Sequence, residues 1–185
     1  MKYNKITLAT LLITIIFTFN QCKKNKDDEP QLPPETTTGA MTFGCKVNGK
    51  VFVPRDGRWR PGLFVQYVNL GMGPGGGWSL NIPAVDWQPE SMPLIKIGTD
   101  SLLVAENTTY EFKLGNSFQT LKGTAYANYK IGSDAYPKLN NESGELFIKK
   151  FDQANRILSG TFFFTGTNTN GIKIFITEGR FDIRY

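Results

Sequence analysis

From Met41 onward the sequence alternates apolar and polar residues with a period of two, a pattern that suits a half-buried strand and not a helix. The ending is clearest. Phe181, Ile183 and Tyr185 fall on one side, and Arg180, Asp182 and Arg184 on the other, where they are expected to form a solvated face. Tyr110, Phe112 and Leu114 alternate with Glu111 and Lys113, and Ile172, Ile174 and Ile176 form a third apolar row. Two Asn-Gly pairs punctuate the pattern. Asn48-Gly49 separates Phe43–Val47 from Lys50–Val53, and a type I′ turn there places Cys45 opposite Phe52 and Lys46 opposite Val51. Asn170-Gly171 separates Gly160–Thr165 from Ile172–Thr177, in a loop lengthened by Thr167–Thr169. A further hairpin joins Glu145–Phe151 to Ile157–Phe164 through Asp152, Gln153, Ala154 and Asn155. Other expected strands are Leu63–Val68, Trp78–Ile82, Leu94–Ile97 and Thr124–Lys130. Short strands between turns, with no convincing amphipathic helix, predict an all-β antiparallel sandwich, with a lipocalin-like β-barrel as the alternative.

The N-terminus reads differently. Lys2 and Lys5 precede an apolar stretch from Ile6 to Phe19, broken only by threonines. Its length fits a signal-peptide core of roughly 7–15 residues and falls short of the ~20 a spanning helix needs. Cys22 follows at once, and then the polar run Lys23 to Glu29. A cysteine directly behind a signal core resembles the anchor of a bacterial lipoprotein, although Phe19 and Gln21 stand where a lipobox usually has Leu and a small residue. The resemblance implies cleavage before Cys22, a diacylglyceryl thioether on its thiol, an acyl chain such as palmitate on its new amino group, and an outer-membrane location. Several buried acyl chains hold a small domain stably.

The expected organisation is therefore a signal peptide over residues 1–21, a lipidated cysteine with a flexible leash over 22–39, and one all-β domain over 40–185. Pro30, Pro33 and Pro34 favour extended backbone in the leash, which reaches roughly 50–60 Å when stretched. Its Lys26-Asp27-Asp28-Glu29 run resembles the acidic export tag of surface-exposed lipoproteins; the alternative is a solvated charge run. The domain from Ala40 holds 16 basic and 12 acidic residues, a net charge of +4, so its mild basicity does not come from the targeting segment.

Several pieces taken in order resemble a family of Bacteroidota lipoproteins of unknown function. They are Thr42 to Phe52 with its Asn48-Gly49 turn, the Phe151-Asp152 to Asn155-Arg156 turn, Ser159 to Phe164, and Glu178 to Asp182. The resemblance implies a secreted, lipid-anchored all-β domain and transfers no catalytic residue.

Composition removes much chemistry. The chain has no histidine, so a Ser-His-Asp or Cys-His relay and a His-ligated zinc site are all excluded. Cys45 alternates with Phe43 and Val47 and is expected in the core, without a base to activate its thiol. Gly71, Gly73 and Gly76 satisfy GxGxxG, but Pro74 lies inside the loop and Trp78–Pro83 reads as strand, so the dinucleotide reading is rejected. Paired carboxylates, as in glycoside hydrolysis, are the catalytic device that remains open. No pair among Asp86, Glu90, Asp152, Glu178 and Asp182 is singled out, Asp152 reads as a turn former, and the prediction is a non-enzyme without cofactor or metal.

Trp59, Trp78 and Trp87 lie in or beside Gly/Pro-rich stretches. They are candidates for stacking on sugar rings; the alternative is that they close the ends of the sandwich as peripheral core. Arg55, Arg58 and Arg60 beside Trp59 could meet an anionic glycan or lipid headgroups, and nothing resembles a nucleic-acid module. Asp100-Ser101-Leu102 resembles a short bacterial O-glycosylation acceptor, with loop hydrogen bonding by Asp100 as the alternative. The sequence thus predicts a lipid-anchored outer-membrane or cell-surface protein acting as a binding or structural module. Glycan binding through the tryptophans, or carriage of a small apolar ligand, is its alternative.

Overall fold

The computed structural model describes residues 30–71, 76–113 and 122–185. Cys22, the leader before it, the Lys23–Glu29 run, Gly73 and Leu114 lie outside them. The described residues form eleven strands: β1 (Thr42–Val47), β2 (Lys50–Phe52), β3 (Gln66–Asn69), β4 (Trp78–Val85), β5 (Leu94–Asp100), β6 (Thr108–Glu111), β7 (Thr124–Ile131), β8 (Asp134–Pro137), β9 (Gly144–Asp152), β10 (Ile157–Thr167) and β11 (Lys173–Arg184). Among them no helix is long and apolar enough to cross a membrane.

Two antiparallel sheets result. One has the order β2-β1-β11-β10-β9-β6 and the other β3-β4-β5-β7-β8. They form a β-sandwich, and among the described residues no barrel closes. Between the sheets the alternating residues meet. Leu80, Ile82 and Ala84 of β4 and Ile95 and Ile97 of β5 face Leu146, Ile148, Phe162, Phe164 and Ile176 in one continuous buried cluster. Each buried Leu, Ile or Phe contributes about 1.5–3 kcal/mol, so this core drives the fold.

The first hairpin has the expected register, Cys45 against Phe52 and Lys46 against Val51. Its turn residues take positive φ, 48° at Asn48 and 81° at Gly49, the combination that Asn and Gly tolerate. Asp152 also forms its turn, accepting the Asn155 amide at 3.0 Å. The second Asn-Gly loop is organised by Asn168, whose side-chain oxygen accepts the amides of Asn170 and Ile172. Ile172 therefore stays in the loop and is 55% exposed, while Ile174 and Ile176 enter the core.

β11 changes face along its length. Ile174 and Ile176 point inward at even positions, Phe181 and Ile183 at odd ones. The extra residue sits at a bulge. Phe162 opposes Gly179 while Phe164 opposes Ile176, and Gly44 opposes Arg180 while Lys46 opposes Thr177, so β10 and β1 both register it. Glu178, at φ 52°, is the residue that absorbs the turn-like backbone.

Two expectations need correction here. Asp182 is not on a solvated face: it is 1% exposed. The segment from residue 30 to 39, expected as the second half of a leash, lies against the outer face of the six-stranded sheet and covers it around Asp182 and Gly44. Asp182 accepts five hydrogen bonds from that segment and its junction: Thr36 Oγ1 (2.6 Å), Thr38 N (2.9 Å), Thr38 Oγ1 (3.2 Å), Gly39 N (2.7 Å) and Ala40 N (3.2 Å). Gly44 admits the strap, because a Cβ there would stand 2.6 Å from Pro33 Cδ. The period-two pattern puts Asp182 outside the core correctly; it cannot show that a segment 140 or more residues away in sequence folds over it.

Candidate binding site

The residues between β2 and β3 do not form the expected strand from Leu63 to Val68; only Gln66–Asn69 does. The chain instead runs beyond the end of β4 and returns. Arg55 bridges Asp86 in parallel, Gly57 faces Arg60 across a turn, and Leu63 bridges Ala84 on the way back. The excursion is rigidly braced. Arg55 N donates to Val85 O, Trp87 N to Arg55 O, and Val85 N to Gly62 O. Arg55 grips the Asp86 carboxylate with both forks, Nε to Oδ1 at 2.9 Å and Nη2 to Oδ2 at 2.6 Å. Asp56 accepts the Gly62 amide, and Gln88 Nε2 donates to Asp56 O.

This loop separates the three candidate tryptophans. Trp78 begins β4 at the opposite end and stacks on Tyr67 at 4.8 Å beside Phe151 and Tyr185, as peripheral core. Trp87 packs against Gly57, donates its indole N–H to Pro61 O at 2.9 Å and carries the Arg60 guanidinium over its ring at 5.1 Å. Trp59 sits at the tip, 86% exposed, with Arg58 5.9 Å from its ring centroid. Trp59 and Trp87 thus share one loop cluster with the three arginines. Trp78 lies eight residues of strand away from that end, roughly 25 Å at about 3.3 Å per residue. An exposed indole on a braced turn, with Arg58 beside it and Arg60 over the neighbouring Trp87 ring, can stack on a flat ligand or enter a lipid interface, and the arginines favour an anionic one.

Comparison with protein-family models, curated proteins and solved structures finds no match.

The other candidates fall elsewhere. A groove of about 320 Å³ on the outer face of the six-stranded sheet brings Glu35, Glu145 and Glu178 together beside Phe163 and Arg180. Glu35 pairs with Lys149 at 3.4 Å, and Glu178 with Lys46 at 2.6 Å and Arg180 at 3.8 Å, so two of the three are held in ion pairs. Of the acids named from sequence, Asp86 holds Arg55, Asp152 forms its turn and Asp182 holds the strap. Glu90 is exposed in the turn after β4. Cys45 is fully buried at the centre of β1, and burial pushes its thiol well above the usual range. Gly71 and Gly76 lie in the β3–β4 connection, where Gly77 N donates to Gly71 O at 2.7 Å and a strand follows. Ser101 sits in the turn after β5 and donates to Asp100 Oδ1 at 3.1 Å.

A further buried charge was not anticipated. Lys138 is 1% exposed, and its ammonium donates to Phe112 O and lies 3.6 Å from Glu111 Oε1. Lys138 follows β8 and Phe112 follows β6, so the lysine ties the two sheets together. In sequence it is an ordinary lysine after a proline.

Proposed function

We propose that this chain is a lipid-anchored, non-enzymatic binding module of the outer membrane or cell surface, held through Cys22 and presenting the 55–62 loop to its ligand. The observation that carries the reading is the strap. A domain tethered through its N-terminus gains from fixing the point where the tether leaves, and the five hydrogen bonds to Asp182 with the Pro33–Gly44 contact fix it. The signal core and Cys22 supply the anchor. The lack of histidine and the commitment of most named carboxylates to ion pairs and turns support a role without catalysis.

The direct test is metabolic labelling with radioactive palmitate. The wild-type chain is expected to take up label and fractionate with membranes, and Cys22→Ala to do neither. Label retained by Cys22→Ala would overturn the anchor. A second reading, glycan binding at the same loop, is favoured by the 86% exposure of Trp59 and is tested by quenching of its fluorescence with soluble polysaccharides.

A further inference from the structure

We infer that the Arg58-Trp59-Arg60 turn docks onto the phospholipid headgroups of the membrane that holds Cys22, so that the domain stands on one end. The inference rests on the anchor proposed above and names the loop's partner.

Pro30 lines a groove of about 340 Å³ together with Val47, Lys50, Arg55, Asp86 and Tyr129. The tether therefore leaves the domain at the end where β4 finishes, and Arg55 at that groove opens the loop that carries Trp59. Only residues 23–29 separate Pro30 from Cys22. Fully stretched, those eight steps reach roughly 26–29 Å, about half of what a leash running to residue 39 would allow. β11 alone has 12 residues and spans roughly 40 Å at about 3.3 Å each. The tether is shorter than the domain is long, so the end bearing Pro30 faces the bilayer.

What that end presents suits an interface. The chain runs from Arg55 parallel to Asp86, past the end of the sheet, and turns at Gly57–Arg60, which makes Trp59 the projecting side chain. A tryptophan of this kind settles at headgroup depth, where its ring is apolar and its N–H is wet. Asp86 takes the charge of Arg55, and Asp56 accepts an amide within the loop. Glu90 after β4 and Asp134 at the start of β8 lie at this end too, and Lys50 and Lys130 there equal them in number. Arg58 and Arg60 stand against the one remaining charge of Asp56, so this end is net positive, and guanidiniums suit lipid phosphates.

The acylated full-length protein, reconstituted into phosphatidylethanolamine–phosphatidylglycerol vesicles with brominated acyl chains, tests this. Bromolipid quenching of tryptophan emission should fall at least about twofold in Trp59→Ala, since Trp78 and Trp87 are held in the fold. It should fall comparably in Arg58→Glu/Arg60→Glu and when phosphatidylcholine replaces phosphatidylglycerol. Near-UV circular dichroism of the Tyr67–Trp78 stack confirms that each variant is folded. Equal quenching in wild type and Trp59→Ala, with palmitate label present, overturns the docking and leaves the anchor standing. Absence of label overturns the anchor and the docking with it. Quenching of Trp59 by soluble polysaccharide with none by lipid assigns the loop to glycan and overturns the inference.

Discussion

Asp86 and Asp182 do similar work at different places with different chemistry. Each is nearly buried, at 8% and 1% exposure, and each holds an irregular segment against a sheet. Asp86 meets a full charge, the Arg55 guanidinium, in a bidentate pair whose arginine side is 53% exposed. Asp182 meets no charge in its five hydrogen bonds, only hydroxyls and amides donated by Thr36, Thr38, Gly39 and Ala40. Burial pushes the Asp182 carboxyl up, but the Thr36 hydroxyl and the three amides outweigh it and hold it below the ordinary aspartate range. A carboxylate can thus be kept ionised either by one cation or by a nest of neutral donors. The first hold is screened by salt and half in water; the second is dry and depends on several residues keeping their geometry.

The largest effect is expected at Asp182. Asp182→Ala strands several donors and should destabilise the protein by about 2–3 kcal/mol in urea unfolding, with the segment before Ala40 opened to protease. The same hold has a pH signature. Because the folded-state value is lowered, its stabilisation is present above the unfolded aspartate value of about 3.9 and is lost as pH falls through the lowered one. Wild type should therefore lose strap protection on acidification in that window, while Asp182→Ala lacks this component of the profile. Next comes Gly44→Val, which drives a side chain into Pro33 and should cost about 1–2 kcal/mol, with proteolysis at residues 30–40 and the sandwich intact. Arg55→Ala should cost about 1 kcal/mol, less at high salt, since its side chain is already half in water. Trp59→Ala should change stability by less than about 0.5 kcal/mol, which makes it a clean probe of the loop.

The legible parts of this fold were those written in local chemistry. Asn48-Gly49 set the first hairpin and its register, Asp152 and Asn155 set another, and the alternating rows placed Phe43, Cys45, Phe112, Ile174, Ile176, Phe181 and Ile183 in the core. Even the β11 bulge had a signal: Ile174 and Ile176 are even, Phe181 and Ile183 odd, and one strand cannot bury both rows without an extra residue between them. The illegible parts were the two aspartate holds. Arg55 and Asp86 are 31 positions apart, Thr36 and Asp182 146, and nothing in either neighbourhood announces the other. The tryptophans divide in the same way. Trp78 begins an alternating strand and joins the aromatic end, whereas Trp59 and Trp87 come together only because the 55–62 loop folds back on β4.

Cys45 has a practical consequence for studying the protein. Its thiol sits at the centre of the sandwich, between the first hairpin and the bulge, with burial opposing thiolate formation. An alkylating agent reacts with thiolate that it can reach, so in the native state this sulfur is silent. Modification then proceeds only through openings that expose β1, and its rate counts those openings. The chain carries its own clock for global unfolding, one that the strap variants should leave slow if they free only the residues before Ala40.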